Sequence, residues 1–174
     1  MTKILRTTLA ASVAAFTFAS TPAFAAPTSA SGPNGLATAH AKIVKPLSLE
    51  SVANMEFGDI TVQDAGLATM DNAGAITCTG GLTCAATGTP AEYTVKGTNN
   101  QIVYITKPNV TLNNTANPGT PLTLVLNGHG PTQVLLTNSG QSGLNFKLGG
   151  EISIAANTLE GDYNGTLAVT VDYQ

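Results

Sequence analysis

An all-β fold is what this sequence predicts. Strand-like runs recur between turn clusters at a spacing of roughly 8–12 residues, the pattern of a sandwich or barrel. One run near the carboxy terminus, Thr166-Leu167-Ala168-Val169-Thr170-Val171-Asp172-Tyr173, alternates without a break. Beyond residue 25, no window of about 11 residues holds a helical period. Side chains along a strand point alternately to opposite faces. Leu167, Val169, Val171 and Tyr173 would therefore share one face, and Thr166, Ala168, Thr170 and Asp172 the other. That division is the signature of a half-buried strand.

The amino terminus has the order of a secretory signal. Lys3 and Arg6 precede an apolar run of 11 residues, 9–19, followed by Thr21-Pro22 and the small-x-small site Ala23-Phe24-Ala25. Cleavage is expected after Ala25, placing the mature protein beyond the inner membrane of a bacterium: periplasm, outer surface or medium. A membrane-spanning helix needs about 20 apolar residues. This run is shorter and ends at Pro22, and no later stretch is apolar enough, so no membrane insertion is expected after cleavage. The remaining 149 residues suffice for one domain with a true core. They carry five lysines and no arginine against ten acidic residues, a net charge of −5. Phosphate recognition rests on arginine forks and clustered basic charge, so nucleic acid is not an expected partner. Residues 26–35 are rich in Pro, Gly and Ser and predict a flexible lead-in, leaving 36–174 as a single β-domain.

The strand candidates follow in order: 36–44, 47–49, 55–62, 74–78, 91–95, 101–106, 121–126, 145–148, 151–155 and 163–173. Breakers lie between them at 71–74, 97–100, 113–119, 127–131 and 149–150. Several runs alternate cleanly: Tyr93 with Val95, Ile102 with Tyr104 and Thr106, Leu122 with Leu124 and Leu126, and Ile152 with Ile154. Residues 96–100 read as a hairpin connection between two strands, and Gly161 as the turn before the last one.

Cys78 and Cys84 flank Gly80-Gly81, whose turn would bring them together. An even cysteine count in an exported chain predicts a disulfide. No histidine lies beside them, and the spacing is not that of a redox pair, so they read as a structural staple. Catalytic constellations are missing. Ser142, in Gly140-Gln141-Ser142-Gly143, lacks the fifth residue and the strand–turn–helix setting of a nucleophile elbow. His129 sits in a Gly-flanked loop without a recognised partner, and Glu160 and Asp162 read as solvated turn residues beside Gly161. No enzyme, cofactor or metal is expected. With Phe57, Phe146, Tyr93, Tyr104, Tyr163 and Tyr173 as the only aromatics after residue 25, most are needed for the core.

The ending resembles subunits of chaperone–usher pili, which pair a glycine (here Gly161) with alternating apolar residues and a penultimate aromatic (here Tyr173). Over most of its length the chain is similar to the bacterial secreted "domain of unknown function 4402" family. The similarity rests on residues 41–49, on Met55-Glu56-Phe57-Gly58-Asp59-Ile60, on 146–154 and on 161–174. That family in turn resembles spore-coat-U-type archaic pilins. The resemblance implies an immunoglobulin-like β-sandwich that lacks one strand. A periplasmic chaperone, and then a like subunit's amino-terminal segment, fills the gap by strand addition. Leu36, Ile43 and Val44 would then belong to the donor or first strand, and Leu167, Val169, Val171 and Tyr173 to the acceptor edge. Neither face of 36–44 is a strong plug, because one holds Thr38, His40 and Lys42 and the other three alanines. Donation to a neighbour and completion of its own domain both remain open. The function implied is a structural or adhesion component, with a pilus subunit as its sharpest form. The alternative is a self-contained glycan or small-ligand binding module using the loops at 113–119 or 127–131.

Overall fold

Alternating apolar residues make the strands, and glycine- and asparagine-rich clusters end them. In the computed structural model, which describes residues 37–137 and 142–174, every regular element is a strand. The first five are β1 (Ser48–Ala53), β2 (Ile60–Val62), β3 (Gly66–Met70), β4 (Ile76–Cys78) and β5 (Leu82–Cys84). Next come β6 (Ala91–Lys96), β7 (Ile102–Thr106), β8 (Val110–Asn114), β9 (Leu122–Val125) and β10 (Gln133–Leu135). The last are β11 (Leu144–Leu148), β12 (Gly150–Ile154), β13 (Tyr163–Asn164) and β14 (Thr170–Tyr173). The signal segment, the 26–35 lead-in and Leu36 lie outside the described residues. The chain falls into two units, Met1–Ala41 and Lys42–Gln174. Of the first, residues 37–41 are described; all are exposed and in no strand.

The largest sheet has the order β13-β8-β9-β12-β3-β4. Two three-stranded sheets, β1-β6-β11 and β10-β7-β14, and the pair β2-β5 make up the rest. All ladders among the described residues are antiparallel, and the architecture is an all-β sandwich. Its interior consists of two apolar clusters. Leu112, Leu124, Leu126, Ile152 and Ile154 dominate the one under the largest sheet. Tyr93, Val95, Val103, Leu136, Phe146 and Leu148 form the other under the smaller sheets. Tyr93 and Phe146 stack there with ring centroids 5.6 Å apart. Burial raises the Tyr93 pKa, and it lowers that of Lys107, whose Nζ donates to the Gly130 carbonyl at 2.8 Å.

The structure corrects several sequence expectations. Residues 37–47 form no strand, and the first ladder starts at Ser48. The alanines and polar residues of that stretch offer little apolar surface to bury. The run at 55–62 ladders only at β2, because Gly58 adopts φ +72° and turns the chain away. Residues 96–100 make no hairpin: β6 and β7 lie in different sheets, and the connection crosses between them. The face shared by Ile102, Tyr104 and Thr106 points outward, leaving Tyr104 42% exposed, while Val103 and Ile105 turn to the core. Both faces of β7 are largely apolar, so alternation alone could not choose between them. β3, β5, β8 and β10 were not foreseen. In β8, Asn113 and Asn114 looked like loop but complete the strand.

Cys78 and Cys84 form the expected disulfide, with Cα atoms 6.2 Å apart. It joins β4, at the edge of the largest sheet, to β5, across a turn in which Gly80 takes φ +68°. Replacing both cysteines by serine should cost about 2 kcal/mol, by the loop-closure entropy of so short a ring. Chemical denaturation of the double variant against the oxidised parent measures it; an unchanged midpoint would contradict the staple role.

Candidate functional site: an open seam between two chain segments

Two segments that face each other leave the ladders at the same level of the sandwich. The first is the stretch 54–59 between β1 and β2. One bridge holds it: the Glu56 amide donates to the Thr89 carbonyl at 2.8 Å, and the Thr89 amide donates back at 2.9 Å. Met55 and Phe57, on either side of that bridge, are half-buried.

The second segment begins at the turn before β13. Gly161 has φ +133°, a conformation that costs any L side chain strain, and a Cβ there would press on the Asn114 side chain. Asn114 is 1% exposed, and both its amide nitrogen and its amide oxygen are bonded. Its Nδ2 donates to the Glu160 carbonyl at 3.0 Å, and its Oδ1 accepts from the amides of Ala116 at 2.9 Å and Asn117 at 3.0 Å. The Thr115 amide adds a bond to the Asp162 carbonyl at 2.9 Å. These bonds start the last run against β8. Gly165 keeps it close, since a Cβ there would collide with the Thr111 carbonyl. Residues 165–169 then belong to no ladder, and pairing resumes with β7 at Thr170. The single long strand expected over 163–173 is thus two short ladders in different sheets, with a free stretch between them.

Between these walls runs a cleft of about 980 Å³. Its floor is core: Leu112, Leu124, Ile152 and Ile154 from the large sheet and Tyr93 from β6. Met55 on one wall and Leu167 on the other each pack against both apolar clusters, so the halves of the core meet along this line. Glu56, Asp59, Glu160 and Asp162 stand along the rim, with no lysine or arginine among the lining residues.

A polar clasp lies at the end of the last run. Tyr173 Oη accepts the Thr98 amide at 2.7 Å and donates to the Lys45 carbonyl at 2.7 Å, while the Lys45 amide donates to Thr98 Oγ1 at 2.6 Å. Gly97 makes room for the hydroxyl, which a Cβ would strike. This clasp ties the chain ahead of β1 to the end of β14.

Of the residues singled out from sequence, Leu167, Val169, Val171 and Tyr173 all rest half-buried against the second cluster. Ile43 and Val44 are 92% and 40% exposed and pair with nothing; Leu36 lies outside the described residues. The 113–119 and 127–131 loops spend polar groups on their own backbone, through Asn114 and through the Lys107–Gly130 bond. His129 Nε2 lies 3.8 Å from a Glu151 oxygen. Ser142 is exposed, and among the described residues no cluster of His, Cys, Asp and Glu could hold a metal ion. Sequence reasoning missed Asn114, which sits inside a polar run that reads as loop. It also missed the wall formed by Met55 and Phe57, whose alternation read as ordinary strand.

Residues 47–173 match the family model described as "Domain of unknown function (DUF4402)", and the chain belongs to that family. No curated protein and no solved structure matches it.

Two substitutions test this geometry. Tyr173→Phe keeps the ring but removes both hydroxyl bonds, and should lower stability by about 1–2 kcal/mol while speeding amide exchange at Thr98. Gly161→Ala forces alanine into a positive φ against Asn114 and should cost about 1–3 kcal/mol in a thermal melt. A variant as stable as its parent would refute the assigned role.

Proposed function

We propose that this protein is an exported structural subunit of the bacterial surface whose seam takes an extended strand from a like subunit, as in a pilus, without catalysis. The observation that carries this reading is the cleft of about 980 Å³: its floor is core, and both its walls leave the ladders. A strand laid there would pair with backbone on either side and cover Met55, Phe57 and Leu167. Full burial of a large apolar side chain is worth about 1.5–3 kcal/mol, and these residues have only part of it. Strand addition uses main-chain bonds for affinity and alternate side chains for selectivity. An open edge over apolar residues also invites aggregation, which is why a periplasmic chaperone would hold it before assembly. The signal-like amino terminus and the Cys78–Cys84 disulfide suit an oxidising compartment.

One observation favours a self-contained binding module instead. Tyr104 is exposed on a flat sheet face, with Gln133 and Asp172 in register on either side, a setting that suits stacking of a sugar ring.

Fractionation of the producing cell and sedimentation of the purified protein separate the readings. The subunit reading expects material beyond the inner membrane, concentration-dependent oligomers, and loss of self-association when residues 26–44 are deleted. The truncated chain should then take up a synthetic 36–49 peptide and melt several degrees higher. A monomer that ignores the peptide but is stabilised by oligosaccharide supports the binding module.

A further inference from the structure

We infer that the seam selects its occupant by charge, and that the occupant is the lysine-bearing segment ahead of β1 from a second copy of this chain. This inference rests on the strand-addition reading above. The five lysines after residue 25 divide sharply. Lys96 pairs with Glu50 at 3.9 Å, Lys147 with Glu92 at 3.6 Å, and Lys107 is spent on the Gly130 carbonyl. Among the described residues, only the Lys42 and Lys45 side chains have no acidic or carbonyl partner, and both are exposed. The acidic residues divide in the same way. Glu50, Glu92 and Glu151 have cationic or histidine partners, and Asp64 and Asp71 cap nearby amides. Five carboxylates are bonded to nothing described: Asp172, exposed on β14, and Glu56, Asp59, Glu160 and Asp162, the four on the cleft rim. Their backbones hold the walls, through the Glu56 bridge and the Glu160 and Asp162 carbonyls, and their side chains are left over.

Four of the five unpaired anions thus line the cleft, and both unpaired cations lie on the segment proposed to fill it. Lys42 and Lys45 flank Ile43 and Val44, the segment's bulky apolar residues, of which Ile43 is 92% exposed. An apolar floor with an acidic rim is the complement of that short stretch: Ile43 enters with Lys42 turned outward to the rim, and Lys45, on the Ile43 face, reaches the rim by its long stem. Charge at the rim offsets the weak plug that the alanines and polar residues of 37–42 provide. It also bears on register: Lys42 shares a face with Val44 and Lys45 with Ile43, so a shift by one residue exchanges which lysine stands outward at the rim.

Self-association of the full-length exported protein, followed by sedimentation, tests this. Glu160→Gln with Asp162→Asn leaves the wall-forming carbonyls in place and should weaken association about tenfold, as should Lys42→Glu with Lys45→Glu. Raising salt from about 0.05 M to about 0.5 M should remove most of the difference between parent and variants. The decisive arm joins Lys42→Glu/Lys45→Glu to Glu160→Lys/Asp162→Lys in one chain, which should regain association. If every variant associates as the parent does at all salt levels, charge selection is wrong and strand addition stands. If no form associates and none takes up the 36–49 peptide, both fall. A monomer whose own 42–44 amides are protected would show the segment seated in its own seam and would overturn the second-copy partner.

Discussion

A strand's edge can pair with only one neighbour, and a chain that must serve two sheets has to leave one before joining the other. The last run of this protein does so. It begins on β8 at Tyr163 and ends on β7 from Thr170, with five residues between them in no ladder. Leu167, in the middle of that stretch, belongs to both apolar clusters because it sits where the layers are handed from one to the other. The opposite wall repeats the pattern at Met55. The cleft is therefore a direct result of how the sandwich is closed, and no local failure of packing is needed to explain it.

What holds the walls in place is polar. Asn114 is buried in a sheet of Leu and Ile, yet every described bond of its side chain goes to the turn at Glu160 or to its own loop. A buried amide costs free energy unless its donors and acceptors are matched, and this one is matched by a single arrangement of the chain. Geometry at Gly161 and Gly165 then follows from closeness: both positions lie against atoms that leave no room for a Cβ.

Much of the fold was legible. The alternation of Leu167, Val169, Val171 and Tyr173 named the half-buried face correctly, and Cys78 and Cys84 read correctly as a pair across a glycine turn. The split of that last run was not legible, because alternation gives a residue's face but not its ladder partner. β8 was hidden for a related reason: Asn113-Asn114 has the composition of a loop, and only the ladder with Tyr163 and Asn164 makes it strand. β7 shows a third limit, since Ile102 and Tyr104 look as suited to a core as Val103 and Ile105 do. The site itself was half visible. Of the face expected as an acceptor edge, Leu167 alone lines the cleft and Val171 and Tyr173 are paired with β7, whereas the acidic rim was scattered over residues 56–162 and came together only in space.

The clasp at Tyr173 has a mechanical consequence. Lys45 and the carboxy-terminal strand are joined through one phenol, so tension on the segment ahead of Lys45 reaches β14 before it reaches the body of either sheet. β1 lies antiparallel along β6, and its hydrogen bonds run across the pull. Load arriving along the axis of β1 would therefore shear it along β6 instead of peeling it bond by bond. Under such a pull the joint would behave as a stiff link.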